Sequence, residues 1–254
     1  MGTFELNNMK RILFYATAIV SLTLFAACSK DDGDGFNITS SKSVELTSQK
    51  TSQIECSDSK ATYTSENGYV ATVSETGLIT GKRVGETYID VNRQKSIKVS
   101  VTPVYTQFTE PQFLFGATKD EVYAKVGTNY SLSDDKSIIY ITKSDRVIGY
   151  IYLLNDGKVE AVLMLVSSSY FSSLTDFLLE RYVPATFSEE DYTVLYVNAL
   201  TADKITMIIG EQVYSSSMIY VAYIPYTNSK SRSVTNSESI KQQVKSILDE
   251  LNLR

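Results

Sequence analysis

Hydrophobic and polar residues alternate in short runs between residues 36 and 103. In the last run Ile97, Val99 and Val101 fall on one face and polar residues lie between them, which is the two-residue period of a half-buried strand. Short strands at this spacing, separated by polar turns, predict a small all-β sandwich. The predicted strands are 44–47, 52–56, 61–64, 70–74, 78–80, 87–91 and 96–102.

A helix followed by strands is predicted at the start of the region 112–226. Thr118 and Glu121 have the spacing of a capping box, so a helix should begin at Lys119. Gly127 is placed to end it. Three strands are expected next, at 138–142, 147–154 and 158–166, and the Asn-Asp-Gly sequence at 155–157 favours a tight hairpin between the last two.

The same order of elements is predicted a second time. Ser168 or Ser169 caps a helix that Pro184 should stop, and its apolar stripe includes Leu174 and Phe177. Strands are expected at 193–198, 205–210 and 217–224. We therefore predict an α+β domain made of two helix-plus-three-strand repeats, with one antiparallel sheet and both helices on one face.

Tyrosines are the candidate binding residues of this sheet. In the strand 147–154, Tyr150 and Tyr152 fall on one face, whereas Ile151 and Leu153 fall on the other. We expect the second helix to pack on Ile151 and Leu153, which leaves the tyrosines exposed. Such a face could bind a protein or a glycan. Alternatively, the tyrosine rings could have only a structural role in covering the sheet. The expected binding face consists of Tyr140, Tyr150, Tyr152 and Tyr196.

Two segments are expected to connect or extend these domains. Residues 104–111 read as a linker, and so do residues 227–235, which are rich in Ser, Lys and Arg. From Asn236 the apolar residues Val244, Ile247 and Leu248 recur at helical spacing. The region 227–254 therefore predicts a linker and an amphipathic helix, which either docks on the second domain or binds a partner.

The N-terminus has the pattern of a secretory signal peptide over residues 1–27. Lys10 and Arg11 precede an uncharged run of residues 12–27, and Met9 is the expected natural start. Ala26 and Ala27 lie directly before Cys28, and this end of the run resembles a bacterial lipobox. The resemblance implies cleavage before Cys28 and a lipid on its sulfur, which would anchor the protein to a membrane.

Residues 28–35 are expected to form an acidic tether after the lipidated cysteine. The stretch Ser29, Lys30, Asp31 and Asp32 also resembles the surface-export signal of lipoproteins in one group of Gram-negative gut anaerobes. That resemblance implies a lipid anchor in the outer membrane, with the protein facing the cell exterior. A tether without export information is the alternative.

The stretch 64–81 (TSENGYVATVSETGLITG) resembles the bacterial Ig-like group 2 module, and the Gly-Glu-Thr-Tyr-Ile run at 85–89 continues the match. The resemblance assigns residues 36–103, or about 37–103, to that module. Such modules act as spacers or as ligand-binding domains, and both roles stay open. Cys56 is expected to be a small buried hydrophobic residue.

The predicted layout of residues 112–226 is similar to the β-lactamase-inhibitor-protein-like fold. Its opening helix also resembles that of small outer-membrane-assembly lipoproteins. The resemblance lies in the order of elements, so it implies a fold and no functional residues.

Composition narrows the functional classes. The chain has 24 basic and 29 acidic residues and a net charge of −5, so we expect no nucleic-acid partner. Histidine is absent, which removes the commonest general base and metal ligand. We therefore expect no enzymatic activity, no cofactor and no metal site.

The predicted function is a non-catalytic binding or adhesion and assembly module on the cell surface. The alternative is a glycan-binding accessory lipoprotein of a nutrient-uptake system.

Overall fold

The computed structural model describes residues 36–189, 192–226, 242 and 244–248. The chain divides into two compact units between Tyr105 and Thr106. None of the helices in the described part combines the length and apolar composition needed to cross a membrane.

The first unit is a sandwich of two sheets. A four-stranded sheet has the order β1-β7-β6-β3, and a three-stranded sheet has the order β2-β5-β4. The first strand pairs with β7 in parallel, whereas the other pairs are antiparallel. Each predicted strand has a counterpart, and the Ig-like sandwich is confirmed. The strands are β1 (Ser43–Leu46), β2 (Thr51–Gln53), β3 (Tyr63–Ser65), β4 (Ala71–Val73), β5 (Leu78–Gly81), β6 (Gly85–Val91) and β7 (Gln94–Val101).

Alternation along the strands builds the core of the first unit. Ile79, Ile89, Ile97 and Val99 are fully buried within one apolar cluster. Cys56 packs against the edge of that cluster and is only partly buried. Cys56 is therefore a small hydrophobic residue at the margin of the core, whereas the sequence predicts a buried one.

The second unit contains one antiparallel sheet of eight strands in the order β12-β13-β14-β15-β11-β10-β9-β8. Strands β10 and β11 are joined by a two-residue turn in which Asp156 and Gly157 both have positive φ, so the predicted hairpin is confirmed. The strands are β8 (Leu132–Ser133), β9 (Ser137–Ile141), β10 (Val147–Asn155), β11 (Lys158–Ser167), β12 (Val183–Ser188), β13 (Thr193–Val197), β14 (Met207–Val213) and β15 (Met218–Pro225).

Helix α1 (Lys119–Val126) begins and ends where the sequence predicts. The Thr118 side chain and the Glu121 carboxylate form the expected capping box, and Gly127 follows at a φ of 108°. A 3-10 turn (Ser168–Tyr170) leads into helix α2 (Phe171–Leu179), and a second 3-10 turn spans Ala202–Lys204.

Helix α2 is shorter than predicted. It ends at Leu179, and Pro184 lies in the edge strand β12 rather than at the end of a helix. An edge strand tolerates a residue that lacks a backbone N–H. The sheet also has four strands in each half, so it does not match the predicted two helix-plus-three-strand repeats. The strands that were missed are the short β8 and the proline-containing β12, because neither shows a clear alternating run.

Both faces of the sheet are covered. On one face the apolar side chains of β10 and β11, including Ile151 and Leu163, cluster with Val244, Ile247 and Leu248. These last three residues belong to the predicted C-terminal helix, and the described part of that helix therefore packs on the second unit. The predicted linker 227–235 lies outside the described residues. Helix α1 covers part of the opposite face, where Val122 packs among residues of β9, β10 and β11.

Candidate functional site

The predicted tyrosine face lies on the side of the sheet that α1 and α2 cover. Tyr152 is opposite Ile138 on β9 and Val162 on β11, and Tyr150 is opposite Tyr140. The same row continues across β15 and β14 to Tyr196. Because directly paired residues share a face, all four tyrosines lie on one side, as the sequence indicates.

This face is not exposed, so the prediction of an open tyrosine platform is wrong. Tyr140 is 9% exposed, Tyr152 is 1% exposed and Tyr196 is fully buried, while Tyr150 is half-buried. Val122 of α1 lies in the same cluster as Tyr140 and Tyr152. The opposite face is also apolar and packs against C-terminal residues, so alternation alone could not show which elements cover which side.

The expected contact between α2 and the side chains of Ile151 and Leu153 is also wrong. Those two residues lie on the opposite face, against the C-terminal residues. Instead, Phe177 of α2 meets Phe108, with ring centroids 5.4 Å apart. The α2 residue Thr175 donates a hydrogen bond to Glu211, whose neighbour across the sheet is Val194 on the tyrosine side.

Residues 106–115 cover the tyrosine face between the two helices, and we call them the strap. The Tyr150 hydroxyl donates a hydrogen bond to the Thr109 carbonyl at 2.8 Å. The Phe113 ring lies 4.8 Å from that of Tyr223 on β15, and Phe108 is only 4% exposed. The predicted linker 104–111 is therefore corrected, because from Thr106 onward it belongs to the second unit.

The Glu110 side chain of the strap is held in a polar seat on this face. The Tyr182 hydroxyl donates a 2.5 Å hydrogen bond to Glu110 Oε1, and Arg181 Nε lies 3.9 Å from Oε2. Burial raises the pKa of Glu110, while the Tyr182 hydroxyl, Arg181 and the Tyr223 hydroxyl oppose that rise. We call Arg181, Tyr182 and Tyr223 the carboxylate seat.

Arg181 is held in place by the end of α2. Its guanidinium lies over the Phe177 ring, 3.7 Å from the centroid. Nη1 donates to the Phe177 carbonyl at 3.0 Å and to the buried Glu180 carboxylate at 2.6 Å. The guanidinium is therefore paired closely with Glu180 and lies farther from Glu110, at 3.9 Å from Oε2.

A second buried carboxylate joins α2 to the sheet. Glu211 on β14 is 1% exposed and accepts hydrogen bonds from Thr175 Oγ1 at 3.0 Å and from the Tyr196 hydroxyl at 2.6 Å. Burial raises the pKa of Glu211 to about 7, against the opposing effect of these two bonds. Glu211 therefore changes charge near neutral pH at a contact between helix and sheet.

Several sequence features lie elsewhere or outside the described residues. Cys28, Ser29, Lys30, Asp31 and Asp32 are outside them. Asp134 accepts hydrogen bonds from the backbone N–H groups of residues 136 and 137 and so stabilises a turn. With Asp135 it lines a cleft of about 590 Å³. In the described ranges, no three acidic, histidine or cysteine residues are grouped so that they could hold a metal ion.

Sequence reasoning missed the carboxylate seat. Glu110 and Tyr182 are 72 positions apart, and Glu110 falls in a segment that lacks any helix or strand period. The Phe-x-Glu-Pro-x-Phe run at 108–113 was the available signal, because two aromatic residues around an acidic one are unusual in a solvated linker.

Comparison with known proteins identifies the first unit. Residues 37–103 match the family model of the bacterial Ig-like domain (group 2). A search of curated proteins finds none that matches the chain. Among solved structures, the chain is similar to an extracellular SCP-domain protein from Bacillus anthracis str. Ames, at 11% identity and a TM-score of 0.21. That similarity covers 49% of this chain and 50% of the other, and a score this low supports no conclusion on fold or function.

Proposed function

We propose that this protein is a lipoprotein of the cell envelope, anchored through Cys28, that acts as a non-catalytic binding or adhesion and assembly module. The proposal is carried by the N-terminal pattern, in which Lys10 and Arg11 precede an uncharged run that ends in Ala26, Ala27 and Cys28. A signal peptide of this form directs export, and a lipidated cysteine holds the mature chain at a membrane.

The segment after Cys28 supports an outward orientation. Ser29, Lys30, Asp31 and Asp32 have the pattern of a surface-export signal, so the proposed location is the outer membrane, facing the cell exterior. The bacterial Ig-like match over residues 37–103 supports this, because the module is common in bacterial surface proteins. In that setting it would space the second unit away from the membrane.

The second unit is the proposed binding part of the molecule. We infer that its two halves, each a helix followed by strands, derive from one repeated unit, since their last strands β11 and β15 meet at the centre of the sheet. This order resembles the β-lactamase-inhibitor-protein-like fold. Burial of Tyr140, Tyr152 and Tyr196 removes the aromatic platform that a glycan would stack on, so a protein ligand is favoured over a glycan.

Replacement of Cys28 by Ala tests the anchor. We expect wild-type protein to be labelled by a fatty-acid probe and to sediment with membranes, whereas Cys28→Ala protein is unlabelled and leaves the membrane fraction or stays unprocessed. Cys56→Ala is the matched control, because it removes the other cysteine of the chain and should leave labelling unchanged. Labelling of the Cys28→Ala protein would refute the proposal.

Protease treatment of intact cells tests the orientation. We expect added protease to digest the domains of the wild-type protein and to spare a variant with Asp31→Ala and Asp32→Ala, because the latter stays inside the outer membrane. Asp34→Ala lies in the same acidic tether outside the motif and should remain digestible. Equal protection of all three proteins would place the domains on the periplasmic side.

A further inference from the structure

We propose that the Ig-like unit transmits mechanical tension between the membrane anchor and the second unit and resists unfolding in that direction. The inference deepens the proposed function and rests on it, because tension arises only if Cys28 is anchored and the second unit holds a partner. Residues 36–103 lie between these two points along the chain. Any such tension therefore passes through the Ig-like unit.

The first and last strands of the Ig-like unit pair with each other in parallel. Their register runs from Ser43 on β1 opposite Lys98 on β7 to Leu46 opposite Val101. The chain therefore enters the pair at one end of its ladder of hydrogen bonds and leaves at the other end. Tension on the two ends of the unit slides β1 along β7, so the bonds of the ladder are stretched together. In an antiparallel terminal pair they would open one after another.

Backbone hydrogen bonds close this ladder at both of its ends. The Lys98 N–H donates to the Lys42 carbonyl at 2.9 Å, and the Thr102 N–H donates to the Leu46 carbonyl at 2.8 Å. The Thr102 hydroxyl donates a further bond to the same carbonyl at 3.3 Å. The Leu46 side chain is buried in the core of the unit. Sliding of β1 would therefore break these bonds together and pull a core residue out of its packing.

The segment that precedes β1 is bonded to the other half of the sandwich. The Thr39 N–H donates to the Glu55 carbonyl at 2.9 Å, and the Ser57 N–H donates to the Asn37 carbonyl at 2.8 Å. Glu55 and Ser57 lie just after β2 of the three-stranded sheet. The chain that enters from the anchor is therefore fixed to both halves of the sandwich, and tension reaches both of them together.

This arrangement predicts that resistance depends on the direction of the pull. Residue 104 follows the end of β7, so tension between Cys28 and residue 104 shears β1 against β7. Gln94 begins β7 and lies at the end of the ladder where the chain enters β1. Tension between Cys28 and residue 94 would peel β1 away, so its bonds would open one at a time. A stable core without this ladder would not produce such a difference.

Optical tweezers test the difference on the chain 28–254, made without its N-terminal segment so that Cys28 keeps a free thiol for attachment. Cys56→Ala removes the other cysteine. Val104→Cys or Gln94→Cys, each at an exposed position, supplies the second attachment point. At one constant force, the Ig-like unit should stay folded at least about tenfold longer when it is pulled through residue 104, because several hydrogen bonds then contribute to one unfolding barrier.

Two proline variants test the ladder itself in the residue-104 geometry. Because the carbonyls of Lys42 and Leu46 face β7, alternation along the strand also turns the Val44 N–H toward β7 and the Glu45 N–H away from it. Val44→Pro removes a bond of the ladder and should unfold at least about tenfold faster than wild type. Glu45→Pro, the matched control, removes an outward N–H of an edge strand and should stay within about twofold of wild type.

The comparison of the two pulling directions leaves β1 and β7 otherwise intact, so it remains decisive if Val44→Pro fails to fold. The proposal is overturned by equal lifetimes in the two directions, or by a Glu45→Pro chain that unfolds as fast as the Val44→Pro chain. These outcomes do not bear on lipidation, because Cys28 carries no lipid in this experiment. Failure of the anchor would appear in the fatty-acid labelling and would leave the measured lifetimes unchanged.

Discussion

At the scale of single residues, the buried carboxylate of Glu211 sets how the second unit responds to pH. The folded protein buries this side chain, so its neutral form is favoured and its pKa rises to about 7. The Thr175 and Tyr196 bonds offset only part of the cost of burying the charge. Protonation of Glu211 is therefore linked to the stability of the contact between α2 and the sheet.

We expect the second unit to lose stability as pH rises from about 4.5 to about 7, the interval between the unfolded and the folded pKa of Glu211. A pKa raised in the folded state stabilises the protein fully below the unfolded pKa, and that contribution disappears as pH passes the folded pKa. The shift from 4.5 to about 7 corresponds to roughly 3 kcal/mol.

Glu211→Gln tests this directly, because the amide resembles the neutral acid. Thermal melting should show the variant to be more stable than wild type at pH 8 and similar at pH 5. Glu189→Gln, at an exposed position, should follow the wild-type pH profile. An unchanged pH dependence in Glu211→Gln would show that this carboxylate is not the group responsible.

Tyr152 should contribute to stability rather than to an exposed binding surface. It is 1% exposed, so Tyr152→Ala should lower the free energy of unfolding by about 3–5 kcal/mol. Tyr192→Ala, at a position that is 48% exposed, should cost below about 0.5 kcal/mol. Urea unfolding of both variants checks the difference, and similar midpoints would contradict the burial of Tyr152.

Among the elements of the second unit, helix caps and turns can be predicted from the sequence more accurately than the edge strands of the sheet. The capping box at Thr118 and the turn at Asp156 and Gly157 are local, because each depends on side chains a few positions apart. The edge strands β8 and β12 depend on pairing with distant residues, and neither has a strong pattern of its own. The end of α2 was missed for the same reason, since Pro184 marks a strand.

The cap of α1 should make a measurable contribution to the free energy of unfolding of the second unit. Thr118→Ala removes the side chain that accepts from the Glu121 N–H, and such losses typically cost about 1 kcal/mol. Lys125→Ala changes an exposed side chain in the last turn of the same helix and should cost less. Chemical unfolding of the second unit distinguishes them. Equal costs would show that the capping box does not stabilise the helix in the folded protein.

At the scale of the whole molecule, the division into two units and the Ig-like sandwich follow from the sequence, whereas the candidate site does not. The motif between residues 64 and 81 is contiguous, so its resemblance to a family can be recognised in the sequence alone. The carboxylate seat joins Glu110 to Arg181 and Tyr182 through folding alone. The sequence also does not show which elements cover which side of the sheet, because both faces are apolar and the residues that cover them come from distant parts of the chain.

Separate cores should unfold separately. Phe177 is 1% exposed and contacts Phe108 and Arg181, so Phe177→Ala should cost about 3–5 kcal/mol and unfold the second unit first. The Ig-like unit should keep its own transition in calorimetry. Phe187→Ala lies on the edge strand at 38% exposure and should leave both transitions near wild type. A single shifted transition for Phe177→Ala would show that the units unfold together.

The mass of the N-terminus shows directly whether the mature protein begins at a lipidated Cys28. Protein isolated from membranes of the native host should be digested, and its N-terminal peptide measured by mass spectrometry. We predict a peptide that starts at Cys28 and carries a diacylglyceryl group on sulfur. An unmodified N-terminus, whether at Cys28 or at a residue before it, would show that Cys28 does not anchor the protein.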